Sequence, residues 1–177
     1  MADYNKPIPS PDPYVTQPFW DGAKEGKLML PRCTSCNRVH WYPRIICPHC
    51  YSSSIEWFEA SGEGFIHTYA VQNRAFGAWA EETPYATAYI DLKEGDRMFT
   101  ALRGVDAENP ESIQIGAKVK IEFDQADDDT FVPYWRVVDT KATQPHQSPP
   151  VPLTTSALQQ KAYAKWKWSP KRTMDAA

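Results

Sequence analysis

Every cysteine of this 177-residue chain lies in one short stretch, as Cys33-Thr34-Ser35-Cys36 and, ten residues on, Cys47-Pro48-His49-Cys50. A CxxC turn brings two thiolates to one side of a tight loop. Two such turns facing each other supply the four sulfurs of a tetrahedral zinc site with bonds of about 2.3 Å. Four thiolates leave no open coordination position, so the spacing predicts a structural zinc ion and not a catalytic one. Iron or a redox dithiol is the rival reading of the same pattern. The gap between the pairs is shorter than the roughly 15–20 residues of many ribbons, yet it suffices for a hairpin bearing Trp41 and Tyr42. His40 and His49 lie close enough in sequence to replace a ligand, and both read more simply as loop histidines. Clustered CxxC pairs suit chelation in a reducing compartment, and no run approaches the roughly 18–20 apolar residues of a membrane span, so a cytoplasmic location is expected.

Around this segment the chain divides by composition. Residues 1–18 hold Pro7, Pro9, Pro11, Pro13 and Pro18, which excludes a sustained helix and predicts an extended arm. Residues 19–60 read as a helix of about two turns from Phe19 to Gly26, followed by the zinc ribbon. Phe19, Trp20 and Ala23 are expected on the buried side of that helix. Leu28–Leu30 and Ile55–Phe58 supply the short strands flanking the cysteines. Residues 61–142 change to period two. Phe65, His67, Tyr69 and Val71 are expected on one face of the first strand, with Ile66, Thr68 and Ala70 on the other. Further strands are expected at 84–92, 97–103, 118–123 and 132–138. Five short strands without an intervening helix predict a five-stranded antiparallel barrel of the OB type, with an SH3-like barrel as rival. The fold class is thus mostly β: a rubredoxin-like ribbon, then the barrel, with short helices near both ends. Residues 143–155 form a proline-rich linker, and 156–177 a basic aromatic tail with a helix over 157–168.

The charge is uneven. The chain carries 19 basic and 22 acidic residues, and net −3 lacks the footprint of a nucleic-acid binder. The tail has Lys161, Lys165, Lys167, Lys171 and Arg172 against Asp175, whereas 61–155 is strongly acidic. Asp127-Asp128-Asp129 lacks the periodicity of a calcium loop and reads as a solvated turn. Ser61-Gly62-Glu63-Gly64 reads as a flexible junction. Catalytic machinery is hard to find. Covalent catalysis through a thiol needs an activated cysteine with a histidine, but all four cysteines are assigned to metal. His67 and His146 have no evident nucleophile beside them, and no GxSxG elbow or phosphate-cradling glycine loop occurs.

Phe19-Trp20-Asp21-Gly22, Gly26-Lys27-Leu28, the CxxC pairs, Trp57 through Gly64 and the strands up to Trp135 together resemble a known two-part family. It comprises zinc-ribbon plus OB-fold proteins, formerly a domain of unknown function, that accompany thiolase-type acyl-CoA enzymes. Examples include the small subunit of benzoylsuccinyl-CoA thiolase and partners of thiolase-fold steroid side-chain aldolases. The resemblance spans roughly residues 14–138. It implies a non-catalytic accessory subunit of a hetero-oligomer, with the thiolase-fold partner supplying the catalytic groups and an acyl-CoA as substrate. Neither a nucleic acid nor a membrane is implied as partner.

Basic residues beside aromatic rings are what coenzyme A phosphates and adenine attract. Two places qualify for CoA binding or partner docking. One is the ribbon, with Arg32, Arg38, Trp41, Tyr42 and Arg44; the other is the tail, with Lys165, Trp166, Lys167, Trp168 and Arg172. Trp41, Phe76, Trp79, Trp166 and Trp168 are expected among the exposed aromatics. Two other functions fit the same modules: an OB-type binder of single-stranded nucleic acid, and a free-standing acyl-CoA carrier or sensor.

Overall fold

The computed structural model describes residues 4–142 and Ser169. Apart from that serine, the predicted linker at 143–155 and the tail with its helix lie outside the described residues. Helix α1 runs Gln17–Lys24 and begins two residues before the sequence expectation. Pro18 occupies its first turn, where a missing N–H costs nothing. Thr16 ties the arm to the helix, for its hydroxyl accepts from the Asp12 amide at 2.9 Å and from Trp20 Nε1 at 3.2 Å. At the other end Gly26, with φ of +73°, reverses the chain. Its N–H donates to the Ala23 carbonyl and that of Lys27 to the Gly22 carbonyl, which satisfies the last carbonyls of the helix in a Schellman turn. Phe19 and Ala23 are buried, whereas Trp20 is half-buried.

Strands β1 (Met29–Cys33) and β2 (Ile55–Glu59) pair antiparallel, with Cys33 opposite Ile55. They are the stem of the ribbon, and residues 34–54 form its loop. The barrel follows as β3 (Glu63–Gln72), β4 (Tyr85–Leu92), β5 (Arg97–Arg103), β6 (Ala117–Gln125) and β7 (Phe131–Ala142). These strands close in the order β3-β4-β5-β7-β6. The pairs are antiparallel except β5 with β7, which run parallel with Leu102 opposite Trp135. This one parallel pair corrects the all-antiparallel expectation, and the closed order is that of an OB barrel, against the SH3-like rival.

The alternating pattern also fails at one point in β3. A bulge between Ile66 and Thr68 leaves His67 unpaired against β4. Because a bulge inserts one residue, it exchanges the two faces beyond it. Ile66 is therefore buried before the bulge, while Tyr69 and Val71 pack inward after it. The remaining strands send Ala86, Ala88, Ile90 and Leu92, then Met98 and Leu102, then Ala117 and Val119 into the barrel around the fully buried Trp135.

Ribbon and barrel share one apolar core, since Phe19, Leu28, Leu30 and Val39 join the barrel cluster. The junction that the sequence presents as flexible is tethered. The Ser61 N–H donates to Glu94 at 2.7 Å and the Ala60 N–H to the Leu28 carbonyl at 2.8 Å. A Cβ on Gly64 would stand 2.6 Å from Ile90 and 2.8 Å from the Asp91 carbonyl, so glycine is needed there for close packing. Asp96, on the β4–β5 turn, accepts the Trp41 N–H at 2.6 Å and fastens the ribbon loop to the barrel. The Asp127–Asp129 run is a solvated turn, as expected. Asp127 accepts the backbone N–H groups of Asp129 and Thr130, and Asp129 pairs with Lys24.

Candidate metal centre

The two CxxC turns have the same backbone design. In the first, Asn37 N–H donates to the Cys33 carbonyl and Cys33 N–H to that of Arg38; in the second, Tyr51 N–H donates to the Cys47 carbonyl and Cys47 N–H to that of Ser52. Each turn ends on a left-handed residue, Asn37 at φ 56° and Tyr51 at φ 61°. Asparagine enters that region readily; tyrosine is held there by its turn. Ser35 and Ser52 hydroxyls, 2.9 Å apart, link the turns.

The result brings all four Sγ atoms within 4.8 Å of one another. Cys33 and Cys50 sulfurs stand 3.6 Å apart, and those of Cys36 and Cys47 3.7 Å apart. A tetrahedron with zinc–sulfur bonds of about 2.3 Å has edges of about 3.8 Å, so the donor set fits zinc. Electrostatics point the same way. Burial pushes the Cys33 thiol up, but backbone N–H groups of Cys36 and Ser35 outweigh it and bring it down to about 6. Cys50 receives an N–H from Ser52, yet burial and the neighbouring sulfurs raise it to about 12. Four thiolates cannot crowd together without a cation, and a divalent ion removes the conflict. With Cys33 and Cys47 buried and all four donors protein sulfurs, the cluster can brace a fold and leaves no position for a substrate.

Neither nearby histidine belongs to the sulfur cluster. His49 is exposed, its Nδ1 3.5 Å from Arg38. His40, predicted to be a loop histidine, is fully buried, and neither ring nitrogen has a hydrogen-bond partner among the described residues. Burial holds it below its ordinary pKa, against the opposing pull of the Arg44 backbone and the Asp96 carboxylate. His67 lies on the outside of the barrel, 3.0 Å from Asp91, which also takes Arg97.

The ribbon candidates for CoA or partner contact separate into side chains packed within the ribbon and side chains on its surface. The Arg32 guanidinium lies over the Phe58 ring at 4.0 Å, and Trp41 packs on Phe19 at 5.0 Å, so both serve the ribbon's own structure. Arg38, Tyr42 and Arg44 are exposed. The structure adds residues the sequence reading missed, because Ile45 is 65% and Tyr51 82% exposed, with Ile46 beside them. With Pro43, Arg44 and Pro48 they line a shallow, mostly apolar hollow on the outer side of the second turn. Their signal was in the sequence: Ile45 and Ile46 stand between two metal-type cysteines and Tyr51 directly after the last, in a loop too small to bury them. Of the predicted exposed aromatics, Phe76 is 96% exposed, whereas Trp41 and Trp79 are half-buried. Lys165, Trp166, Lys167, Trp168 and Arg172 lie outside the described residues. Among the described residues no helix is long and apolar enough to cross a membrane.

Residues 20–56 match the ChsH2 rubredoxin-like zinc ribbon domain, and residues 57–124 match the ChsH2 C-terminal OB-fold domain. A DUF35 domain-containing scaffold protein of Methanothermobacter thermautotrophicus is 36% identical over 93 residues, 52% of this chain and 68% of that protein. The "Probable enoyl-CoA hydratase alpha subunit" of Thermomonospora curvata is 34% identical over 119 residues, 67% of this chain. The chain spans only 36% of that hydratase subunit's length. The benzoylsuccinyl-CoA thiolase subunit BbsA of Thauera aromatica is 30% identical over 73 residues, 41% of this chain and 49% of that one. Among solved structures, a chain of the Ltp2-ChsH2(DUF35) aldolase superposes with a TM-score of 0.62 at 31% identity, covering 73% of this chain and 98% of that one.

Proposed function

Because the chain belongs to the DUF35/ChsH2 family of zinc-ribbon plus OB-fold proteins, we propose that it is a non-catalytic accessory subunit of an acyl-CoA enzyme complex whose catalytic chain is of the thiolase type. The observation that carries this reading is the match along 98% of a chain in the Ltp2-ChsH2(DUF35) aldolase. Relatives named as a thiolase subunit and as a hydratase alpha subunit point to the same class of acyl-CoA chemistry. The chain's own chemistry agrees, for its four cysteines converge on one metal-type cluster and the nucleophilic cysteine of a Claisen reaction would come from elsewhere.

In this reading the outward side of the ribbon loop, with Tyr42, Arg44, Ile45, Ile46 and Tyr51, meets the partner. The rings and Arg44 there also suit the adenine and phosphates of a CoA ester. The partner–subunit complex would be cytoplasmic and hetero-oligomeric. The test is affinity purification from the native host, then thiolysis assays with and without this chain. Recovery of a thiolase-type chain whose activity rises at least tenfold on adding this subunit is expected. Full activity of that partner alone overturns the proposal. Tight binding of a CoA ester by the isolated chain, with no companion recovered, favours the carrier reading.

A further inference from the structure

The proline-rich arm, expected to be simply extended, ends in a built site. Lys6 Nζ lies 4.8 Å from the centre of the Trp79 ring, 5.6 Å from that of Tyr4 and 5.8 Å from that of Tyr134. Glu82 pairs with it as counter-ion, and the lysine side chain is only 9% exposed. The walls are themselves braced. Trp79 packs on Tyr85 at 4.9 Å, the Tyr4 and Tyr134 hydroxyls are 3.5 Å apart, and Arg103 stacks on Tyr134 at 3.7 Å while pairing with Asp124. Burial raises the Tyr134 phenol, which stays neutral. Asn5 adds a contact to Glu81 at 3.5 Å.

Three ring faces around an ammonium with one carboxylate beside it are the chemistry that selects an alkylammonium ion. Trp79 and Glu82 both sit in the short 3-10 turn Gly77–Glu82, within the connection between β3 and β4. That turn has no buried residue of its own, so little besides these contacts fixes it to the barrel. We propose that Trp79, Tyr134 and Glu82 form an ammonium-binding cage whose resident ligand is Lys6, with Tyr4 of the same arm closing its third side, which makes the N-terminal arm a releasable strap across the β3–β4 connection. Tethering explains why so small a ligand can hold: Lys6 is presented at high effective concentration by its own chain.

Amide hydrogen exchange on the zinc-loaded 177-residue chain tests this. In Lys6→Ala, amides of residues 76–82 and of the arm should exchange about tenfold faster, with those of Ile90, Val119 and Trp135 unchanged. Added n-butylammonium should slow the variant's loop again, and n-butanol at the same concentration and ionic strength should not. Unchanged loop exchange in Lys6→Ala overturns the strap. Equal acceleration throughout the barrel overturns it as well, because the lysine would then be part of the global fold. Identical effects of the two additives overturn ammonium recognition.

Discussion

The ribbon loop and the barrel solve the same problem in opposite ways. In the barrel Ile90, Met98, Val119 and Trp135 face inward and the charges face out. In the loop between Cys33 and Ser54 the four sulfurs face one another, and Ile45, Ile46 and Tyr51 face out. A loop of that size buries few side chains, Val39 among them, so a four-thiolate metal site would stand in for most of a core and leave side chains such as Ile45, Ile46 and Tyr51 outward. The lesson is that exposed apolar residues are informative where a metal does the folding, since stability does not explain them.

The largest test of this contrast is Cys33→Ser or Cys50→Ser. Structural zinc in small sites contributes apparent binding energies on the order of 10–16 kcal/mol. Loss of zinc by elemental analysis and rapid amide exchange across residues 33–54 is expected, with barrel amides still protected. A variant that keeps its ion and a normal melting curve would break the comparison. Trp135→Ala attacks the other side and should cost about 3–5 kcal/mol by denaturant titration, as for a large buried aromatic. The contrast sharpens if near-stoichiometric zinc persists in the folded fraction.

A smaller effect is expected for the Arg103–Asp124 pair on the barrel. The Arg103 guanidinium holds the Asp124 carboxyl below its usual range. The associated stabilisation is complete above about pH 4 and is lost as pH falls towards the depressed value. For a pair this exposed it should stay below about 1 kcal/mol. Asp124→Asn should therefore lose that increment at neutral pH and converge with the parent as the solution is acidified, which flattens the acid limb of barrel-amide exchange. An unchanged acid limb would remove this pair from the account. Ile45→Ser should be the smallest, within about 0.5 kcal/mol of the parent in melting experiments. Capture of the catalytic partner should nevertheless weaken several-fold; unchanged capture would clear the ribbon loop of that role.

Much of this could be read from the chain before any fold was known. The cysteine spacing fixes a local geometry, because each CxxC turn is closed by hydrogen bonds within six residues. Strand positions were legible for the same reason, since alternation is a local pattern. The first failure came at His67, where a bulge that leaves no mark in the pattern exchanges the faces of β3. Trp41 was misjudged as exposed because its partner Phe19 is distant in sequence, and Trp79 because it is covered by Lys6 as well as by the nearby Tyr85.

The sequence by itself determined the metal-type cluster, the ribbon stem and the number of barrel strands, all legible from local spacing, alternation and turn residues. Only the tertiary structure decided that β5 runs parallel to β7, that the junction at Ser61 is held by Glu94, and that Lys6 lies among Tyr4, Trp79 and Tyr134. These join residues tens of positions apart, and no local propensity encodes which distant side chain will be there when the barrel closes.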